Sequence, residues 1–311
     1  MKKTAAILLA LLLCLSLLPG LAEAPAPLRV GALKGPTAMG LVKMMKDDEG
    51  SDHYAFTLAA SPDALVPALV RGELDLACLP VNLAAILYAN TKGAVKVINI
   101  NTLGVLYILE RGDSVQSLAD LSGRTIYASG KASTPEYALN HLLKEAGVAD
   151  VTMEWKAEHT EALAALLADE KGLALLPQPF VTVAQGKSPD IRVALDLNKE
   201  WEDQFGTALI TGVTVARTEV IAQQAGRIAQ FMTDYDASIS YVNENVAEAA
   251  ALIGEYDIFN AQVAQKALPH CNIRFVMGQE MQDLLIPFYQ MLFDQDPATT
   301  GGSLPDAGFY H

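Results

Sequence analysis

Positive charge is scarce in this sequence. Among 311 residues there are 22 Lys and Arg against 36 Asp and Glu, a formal net charge of −14 at pH 7. Nucleic-acid binding depends on Lys and Arg neutralising phosphates, and docking on anionic lipid needs the same sign, so both partners are disfavoured. Cysteine is almost as scarce, with three residues at Cys14, Cys78 and Cys271, too few for a disulfide framework. Only one long apolar run occurs, Ala5 to Leu18, and it falls short of the ~20 residues a helix needs to span a bilayer. There is no G-x-x-x-x-G-K-[ST], H-E-x-x-H, C-x-x-C or G-x-S-x-G, so no motif names a nucleophile, a base or a cofactor loop. The histidines (His53, His141, His159, His270, His311) lack ligand spacing, which leaves no metal site to assign. His141 is expected on the polar outer face of a helix. No internal repeat or low-complexity tract stands out.

What is present begins at the N-terminus. Lys2 and Lys3 precede the apolar run, which ends at Pro19-Gly20 and is followed by Ala22-Glu23-Ala24. A basic start, a short apolar centre and small residues at a cut describe a secretory signal peptide over residues 1–24, cleaved after Ala24 or Ala22. The surroundings of Cys14 match a lipid-attachment box poorly, so a free exported chain is expected, in the periplasm or on the outer face of the cell. Removing Lys2, Lys3 and Glu23 leaves 20 basic and 35 acidic residues. The roughly 285 residues that remain are enough for two domains. Cys78, in the apolar stretch Leu74 to Leu79, and Cys271, after Pro269-His270, are either buried free thiols or, in an oxidising compartment, one bridge.

Along the mature chain, strands and helices alternate. LRVGAL (28–33) reads as a strand, Lys34 to Thr37 as a turn and Ala38 to Met45 as a helix. Ser61-Pro62-Asp63 opens a helix that feeds a strand over Leu74 to Leu79. Pro80-Val81-Asn82 turns into the next helix with Asn82 as its cap, and Val95 to Ile100 is a strand. A second cycle runs through a strand at 124–128, a helix with Leu139, Leu142, Leu143 and Ala146 on one face, a helix over 161–168 and a strand at 172–176. Long helices follow over 221–243 and 279–293. The Gly- and Pro-rich tail from Pro297 is expected to wrap the surface without regular structure. This order implies parallel sheets covered by helices. Two α/β lobes joined by crossover strands near 103–109 and 208–215 account for it, with lobe 1 formed by 25–106 and 212–311 and lobe 2 by 107–211.

Ligands of open α/β sheets bind beyond the carboxyl ends of the strands, near helix N-termini. Four strand ends qualify: Lys34 to Thr37, Pro80 to Asn82, Gly130 to Thr134 and Pro177 to Pro179. In the third, Ser133 with Glu136 matches a capping box, while Thr134 before Pro135 gives an alternative cap. Either register leaves backbone N–H groups and a partial positive charge facing outward. With the hydroxyls of Ser133 and Thr134 and the ammonium of Lys131, this suits a carboxylate, sulfonate, phosphate or polarised heterocycle. Gly35 permits close backbone approach and Thr37 either caps or points at a ligand. Asn82 and Gln178 each bring an amide that either caps or binds.

Read together, GALKGPTAMGLVKM (31–44), SPDALVPALVRGELDLACLP (61–80), LADLSGRTIYASGKASTPEYALNHLLKEAGV (118–148) and ALLPQPFV (174–181) resemble substrate-binding proteins of ABC importers. The likeness is to the branch that binds sulfonates, nitrate, taurine and thiamine precursors. It implies a type II periplasmic-binding-protein fold with the ligand in the cleft between the lobes. The lining residues it implies are Gly35, Thr37, Pro80, Asn82, Ser129, Gly130, Lys131, Ser133, Thr134 and Gln178. Gln178 stands where that branch often has an acidic residue, which weakens any case for a cationic ligand. The expected function is capture of a small polar molecule, anionic or heteroaromatic, by a monomer that delivers it to a permease and its ATPase without catalysis or cofactor. Alternatives are an enzyme on the same bilobal fold and a sensor without a transporter.

Overall fold

The computed structural model describes residues 26–311. The basic start, the apolar run, Cys14 and the expected cleavage sites lie outside the described residues.

The first strand, β1 (Leu28–Leu33), has the bounds expected from its sequence. Two short helices follow where one was expected: α1 (Pro36–Met39) and α2 (Val42–Asp47), parted at Gly40-Leu41. Next come β2 (Tyr54–Ala59), α3 (Pro62–Val70), β3 (Leu76–Pro80), α4 (Val81–Asn90), β4 (Val95–Leu103) and β5 (Leu106–Arg111). The chain continues with β6 (Thr125–Ser129), α5 (Thr134–Glu145), β7 (Thr152–Lys156), α6 (His159–Ala168), β8 (Leu173–Pro177), α7 (Phe180–Lys187), β9 (Ile191–Asp196) and α8 (Leu197–Phe205). It closes with β10 (Ile210–Arg217), α9 (Thr218–Gln223), α10 (Ala225–Glu244), α11 (Val246–Glu255), α12 (Ala261–Ala267), β11 (Ile273–Val276) and α13 (Gly278–Gln295).

Two open sheets result. The first has the order β11-β4-β10-β3-β1-β2 and the second β7-β6-β8-β5-β9. They are mixed rather than parallel: β10 runs antiparallel to β3 and β4, and β5 antiparallel to β8 and β9. The reason is the crossover itself. β5 is the first strand after the chain leaves the first sheet and β10 the first after it returns, so each enters its new sheet from the opposite end. Neither crossover is one strand shared by both sheets. The run 103–109 is divided at Gly104-Val105 between β4 and β5, and β10 lies wholly in the first sheet.

Three apolar layers fill the molecule. One is continuous through both lobes, joining Leu79, Ile100 and Tyr289 of the first to Leu139, Leu142 and Trp201 of the second. A second lies on the other face of the first sheet under α10, with Phe231, Tyr235 and Ile239. The third covers the other face of the second sheet, with Tyr107, Leu163 and Val181. The amphipathic face read in α5 is buried at Leu139, Leu142 and Leu143, each contributing about 1.5–3 kcal/mol on full burial. His141 departs from its expected place on a polar outer face. Its ring stacks on Phe205 at 4.7 Å between centroids, and its Nδ1 is buried without a partner among the described residues. Burial lowers its pKa.

The tail also departs from expectation. Pro297–Thr300 and Ala307–Phe309 are 3₁₀ turns, Thr299, Thr300 and Phe309 are buried, and the Phe309 ring lies 4.9 Å from that of Tyr88. The last peptide N–H, that of His311, donates to Val97 O. Cys78 and Cys271 are separate buried thiols. Among the described residues no helix is long and apolar enough to cross a membrane.

Gly104 carries the first crossover. A Cβ there would fall 1.9 Å from Asn198 Oδ1. Asn198 Nδ2 donates to Asp196 Oδ1 at 2.7 Å, its Oδ1 accepts from Leu106 N at 3.4 Å, and Asn272 Nδ2 donates to Gly104 O at 2.5 Å. The Gly104→Ala variant is expected to displace Asn198 and lose about 1–3 kcal/mol, the usual cost of overpacking, read as a lower urea midpoint. Combining it with Asn198→Ala should recover part of the loss. Strictly additive losses would show that the two residues do not compete for this space.

Candidate functional site

The carboxyl ends of both sheets approach one gap. In the first lobe, β3 ends at Pro80, whose ladder partner on β10 is Gly212. A Cβ on Gly212 would lie 2.5 Å from Asn101 Oδ1, 3.0 Å from Thr37 Cγ2 and 3.1 Å from Thr102 Cβ. Thr37, Pro80, Asn101 and Thr102 therefore converge on one patch of bare backbone. Thr37 Oγ1 donates to Leu33 O at 2.9 Å, so its hydroxyl ties α1 to the end of β1. Gly35 is the cap residue of α1 at φ 140°, a conformation that favours glycine.

Asn101 and Thr102 escaped the sequence reading. Asn101 Nδ2 donates to Thr214 Oγ1 at 3.0 Å, and Thr102 Oγ1 to Asn101 Oδ1 at 2.9 Å. Behind them the buried Cys78 Sγ lies 3.5 Å from Thr214 Oγ1, and burial pushes this thiol up to about 11. The available signal was Asn99 and Asn101 two residues apart in VKVININTL, polar side chains on one face of an otherwise apolar strand.

In the second lobe β6 ends at Ser129 and leads into a knotted turn. Gly130 has φ 82° and Ala132 φ 58°. Ser133 Oγ donates to Gly130 O at 2.6 Å, and Glu136 Oε2 accepts from Ala132 N at 2.6 Å. Of the two caps read in this segment, Ser133 is the cap residue, with Thr134 first in α5. Its hydroxyl is turned away from the helix, and Glu136 reaches one residue further back than a capping box requires, so no side chain caps the first turn. Lys131 is exposed at the rim.

Asn82 is not the cap of α4 that was expected. Pro80 occupies that position and Asn82 lies inside the first turn, where no side chain caps the N–H groups either. Its carbonyl faces the other lobe: Thr134 Oγ1 donates to Asn82 Oδ1 at 3.3 Å, and both residues are buried. This bond joins two helix N-termini across the gap. Each end carries partial positive charge on its unpaired N–H groups. An electron-rich group placed between them gains from both.

Ser129 Oγ shares a short hydrogen bond with His159 Nδ1. Burial holds His159 down to about 4, so the ring is neutral at pH 7. Phe180, first in α7, lies 5.0 Å from the His159 ring and 5.4 Å from Phe259 of the first lobe. His159 was passed over because its partner is 30 positions away. Gln178 is placed differently from the others. Its Oε1 accepts from Thr182 Oγ1 at 2.9 Å and Thr182 N at 3.3 Å, which ties it to the first turn of α7 behind the cap residue Pro179.

The fold is the type II periplasmic-binding-protein fold, with two α/β lobes and a cleft between them. A family model described as menaquinone biosynthesis matches residues 28–294, and the chain belongs to that family. No curated protein matches it. It is similar to a structure described as an ABC transporter from Parabacteroides distasonis, with 26% identity over 92% of this chain and 99% of that one and a TM-score of 0.79. The alkanesulfonate-binding protein SsuA from Xanthomonas axonopodis pv. citri, bound to MOPS, is 18% identical over 92% and 96% of the two chains, with a TM-score of 0.69. The periplasmic aliphatic sulphonate binding protein SsuA from Escherichia coli is 18% identical over 88% and 89%, with a TM-score of 0.72. The two SsuA structures are sulfonate-binding proteins by description, and at 18% identity their likeness to this chain is one of fold.

His159 has a consequence for pH. Between about pH 6.5, where an unperturbed histidine titrates, and about pH 4, the unfolded chain holds more protons on this group than the folded one. Stability therefore falls as pH drops through that window. The His159→Phe variant should flatten this dependence, measured as urea midpoints at pH 7, 5.5 and 4. An unchanged slope would assign the loss to other groups.

Proposed function

We propose that this chain is the solute-binding component of an ABC importer, exported by its N-terminal segment as a monomer. Its lobes close on a small polar molecule with an anionic or heteroaromatic group. The observation that carries the reading is the Thr134–Asn82 bond, which brings two uncapped helix N-termini together from opposite lobes. A ligand there takes the donors of Ser129 to Thr134 on one side and meets Gly35, Thr37, Pro80 and Asn82 on the other, with Lys131 at the mouth. The similarity to the Parabacteroides structure over nearly all of both chains supports transport. The SsuA neighbours support an anionic ligand such as a sulfonate. A permease and its ATPase are the implied partners.

One observation favours an enzyme instead. The Ser129–His159 pair sets a hydroxyl against a neutral imidazole at the end of β6, the pairing by which a histidine activates a hydroxyl nucleophile. The family's description, menaquinone biosynthesis, points the same way. Mass spectrometry of bound material separates the readings: a receptor returns its ligand unchanged after prolonged incubation, an enzyme does not.

Thermal-shift screening of the mature protein against alkanesulfonates, thiamine precursors, flavins and nitrate should give stabilisation by at least one of them. A preference for simple cations would sink the ligand class. The double variant Ser133→Ala/Thr134→Ala should weaken binding of that compound at least tenfold, about 1.4 kcal/mol, with little change in urea midpoint. Unchanged affinity would mean that the segment only starts a helix. Trp201, 5.8 Å from Phe288 across the lobes, should report closure as a ligand-dependent change in fluorescence. A signal identical with and without ligand would place closure elsewhere.

A further inference from the structure

Beside the crossover strands, on the face of the second sheet opposite α5, lies a groove of about 400 Å³ that takes its walls from both lobes. The second lobe contributes Tyr107, Gln178, Val181 and Val193, and the first contributes Lys266 and His270. Its volume falls within the range of small-molecule sites. None of these residues except Gln178 belongs to the set expected to line the cleft.

The groove is rich in hydrogen-bond donors. The carbonyl of Gln178 is taken by Thr182, while its carboxamide NH₂ has no partner among the described residues, although the residue is only 4% exposed. The amide nitrogen is not shut away from solvent, so its two donors open into the groove and are available to an acceptor there. Lys266 stands opposite on α12 and forms no ion pair within 4.0 Å among the described residues. The Asp196 carboxylate, the ladder partner of Tyr107, is held by the N–H groups of Asn198 and Lys199 as the cap of α8. Between the donors lie the apolar surfaces of Val181, Val193 and the Tyr107 ring.

The groove also adjoins the crossover. Tyr107 lies three residues beyond Gly104, and its hydroxyl donates to His270 O of the first lobe at 3.3 Å. Two residues past His270, Asn272 binds Gly104 O. A molecule lodged here touches both lobes close to where they pivot.

The geometry points to a second binding site in this groove, for a small organic monocarboxylate. Its carboxylate lies between Lys266 and the Gln178 amide, and its apolar body against Val181, Val193 and Tyr107. Because the walls come from both lobes, occupancy favours the arrangement in which they are together. The bound carboxylate and the solute in the main cleft therefore strengthen one another's binding, by equal factors.

Benzoate is a suitable probe and benzamide its uncharged counterpart. Titration calorimetry on the mature chain at constant ionic strength should show saturable benzoate binding, with benzamide at least tenfold weaker. Lys266→Met, an exposed substitution, and Val193→Trp, which fills the groove, should each weaken benzoate at least tenfold. The Ser133→Ala/Thr134→Ala variant should bind benzoate as the parent does. Absence of benzoate binding overturns the proposal, as does equal binding of benzamide. So does a benzoate affinity that survives Lys266→Met but is lost in Ser133→Ala/Thr134→Ala, which would put the anion in the main cleft. If Val193→Trp fails to fold, Lys266→Met with the Ser133/Thr134 pair still decides.

Discussion

The close packing of Gly104 against Asn198 governs how the two lobes meet. At this point the chain leaves the first sheet, and there is no room for a side chain: Asn198 occupies the space while bonding to Asp196 and Leu106. Asn272 holds the same peptide from the first lobe through Gly104 O. The exit of the chain is thus clamped from both sides, and β5 is delivered antiparallel into the second sheet. A bond as specific as Thr134 to Asn82 forms between elements 52 residues apart because the crossover sets their separation.

Around that constraint the molecule divides its polar groups by purpose. Several in the first lobe bond within it: Thr37 to Leu33 O, Thr102 to Asn101, and Asn101 to Thr214. In the second lobe, Ser133 and Glu136 spend their bonding on the turn that precedes α5 rather than on the helix itself. Each lobe also brings one helix N-terminus without a side-chain cap to the gap, α4 from the first and α5 from the second. Donors from both sides suit a cleft that closes on a small acceptor.

The strands visible in the sequence and those that were missed differ in one physical respect. β1, β3, β4, β6, β8 and β10 lie inside their sheets and are mostly buried, so apolar residues dominate them, most plainly LACLP and LALLP. β2, β7, β9 and β11 went unread, and all four are sheet edges. Their sequences, YAFTLA, TMEWK, IRVALD and IRFV, mix charged or hydroxyl residues with apolar ones because one side meets water. The helix start at Ser133-Thr134-Pro135 was legible because capping chemistry is local. Asn101 with Thr214 and Ser129 with His159 were not, since each pair joins residues far apart in the chain. Gln178 was legible as an amide on a rigid turn, but the direction it faces was set by Thr182, a residue carrying no signal of its own.

The place of β10 in the first sheet has a consequence for the order in which the molecule can be completed. β10 lies between β3 and β4 and is hydrogen-bonded to both. As the chain is synthesised, β1 to β4 appear early, while β10, which joins β3 to β4, arrives only after the whole of the second sheet has been made, and β11 later still. The second lobe, contiguous from β5 to β9, has all its strands first. The first lobe must wait with the edges of β3 and β4 unpaired, exposed to any other strand that comes near. After β10, β11 pairs with β4, and the tail sets Phe309 against Tyr88 and His311 N–H on Val97 O. A nascent chain that has reached β9 is therefore a finished lobe attached to an open one, and β10 closes the two edges left inside the first sheet.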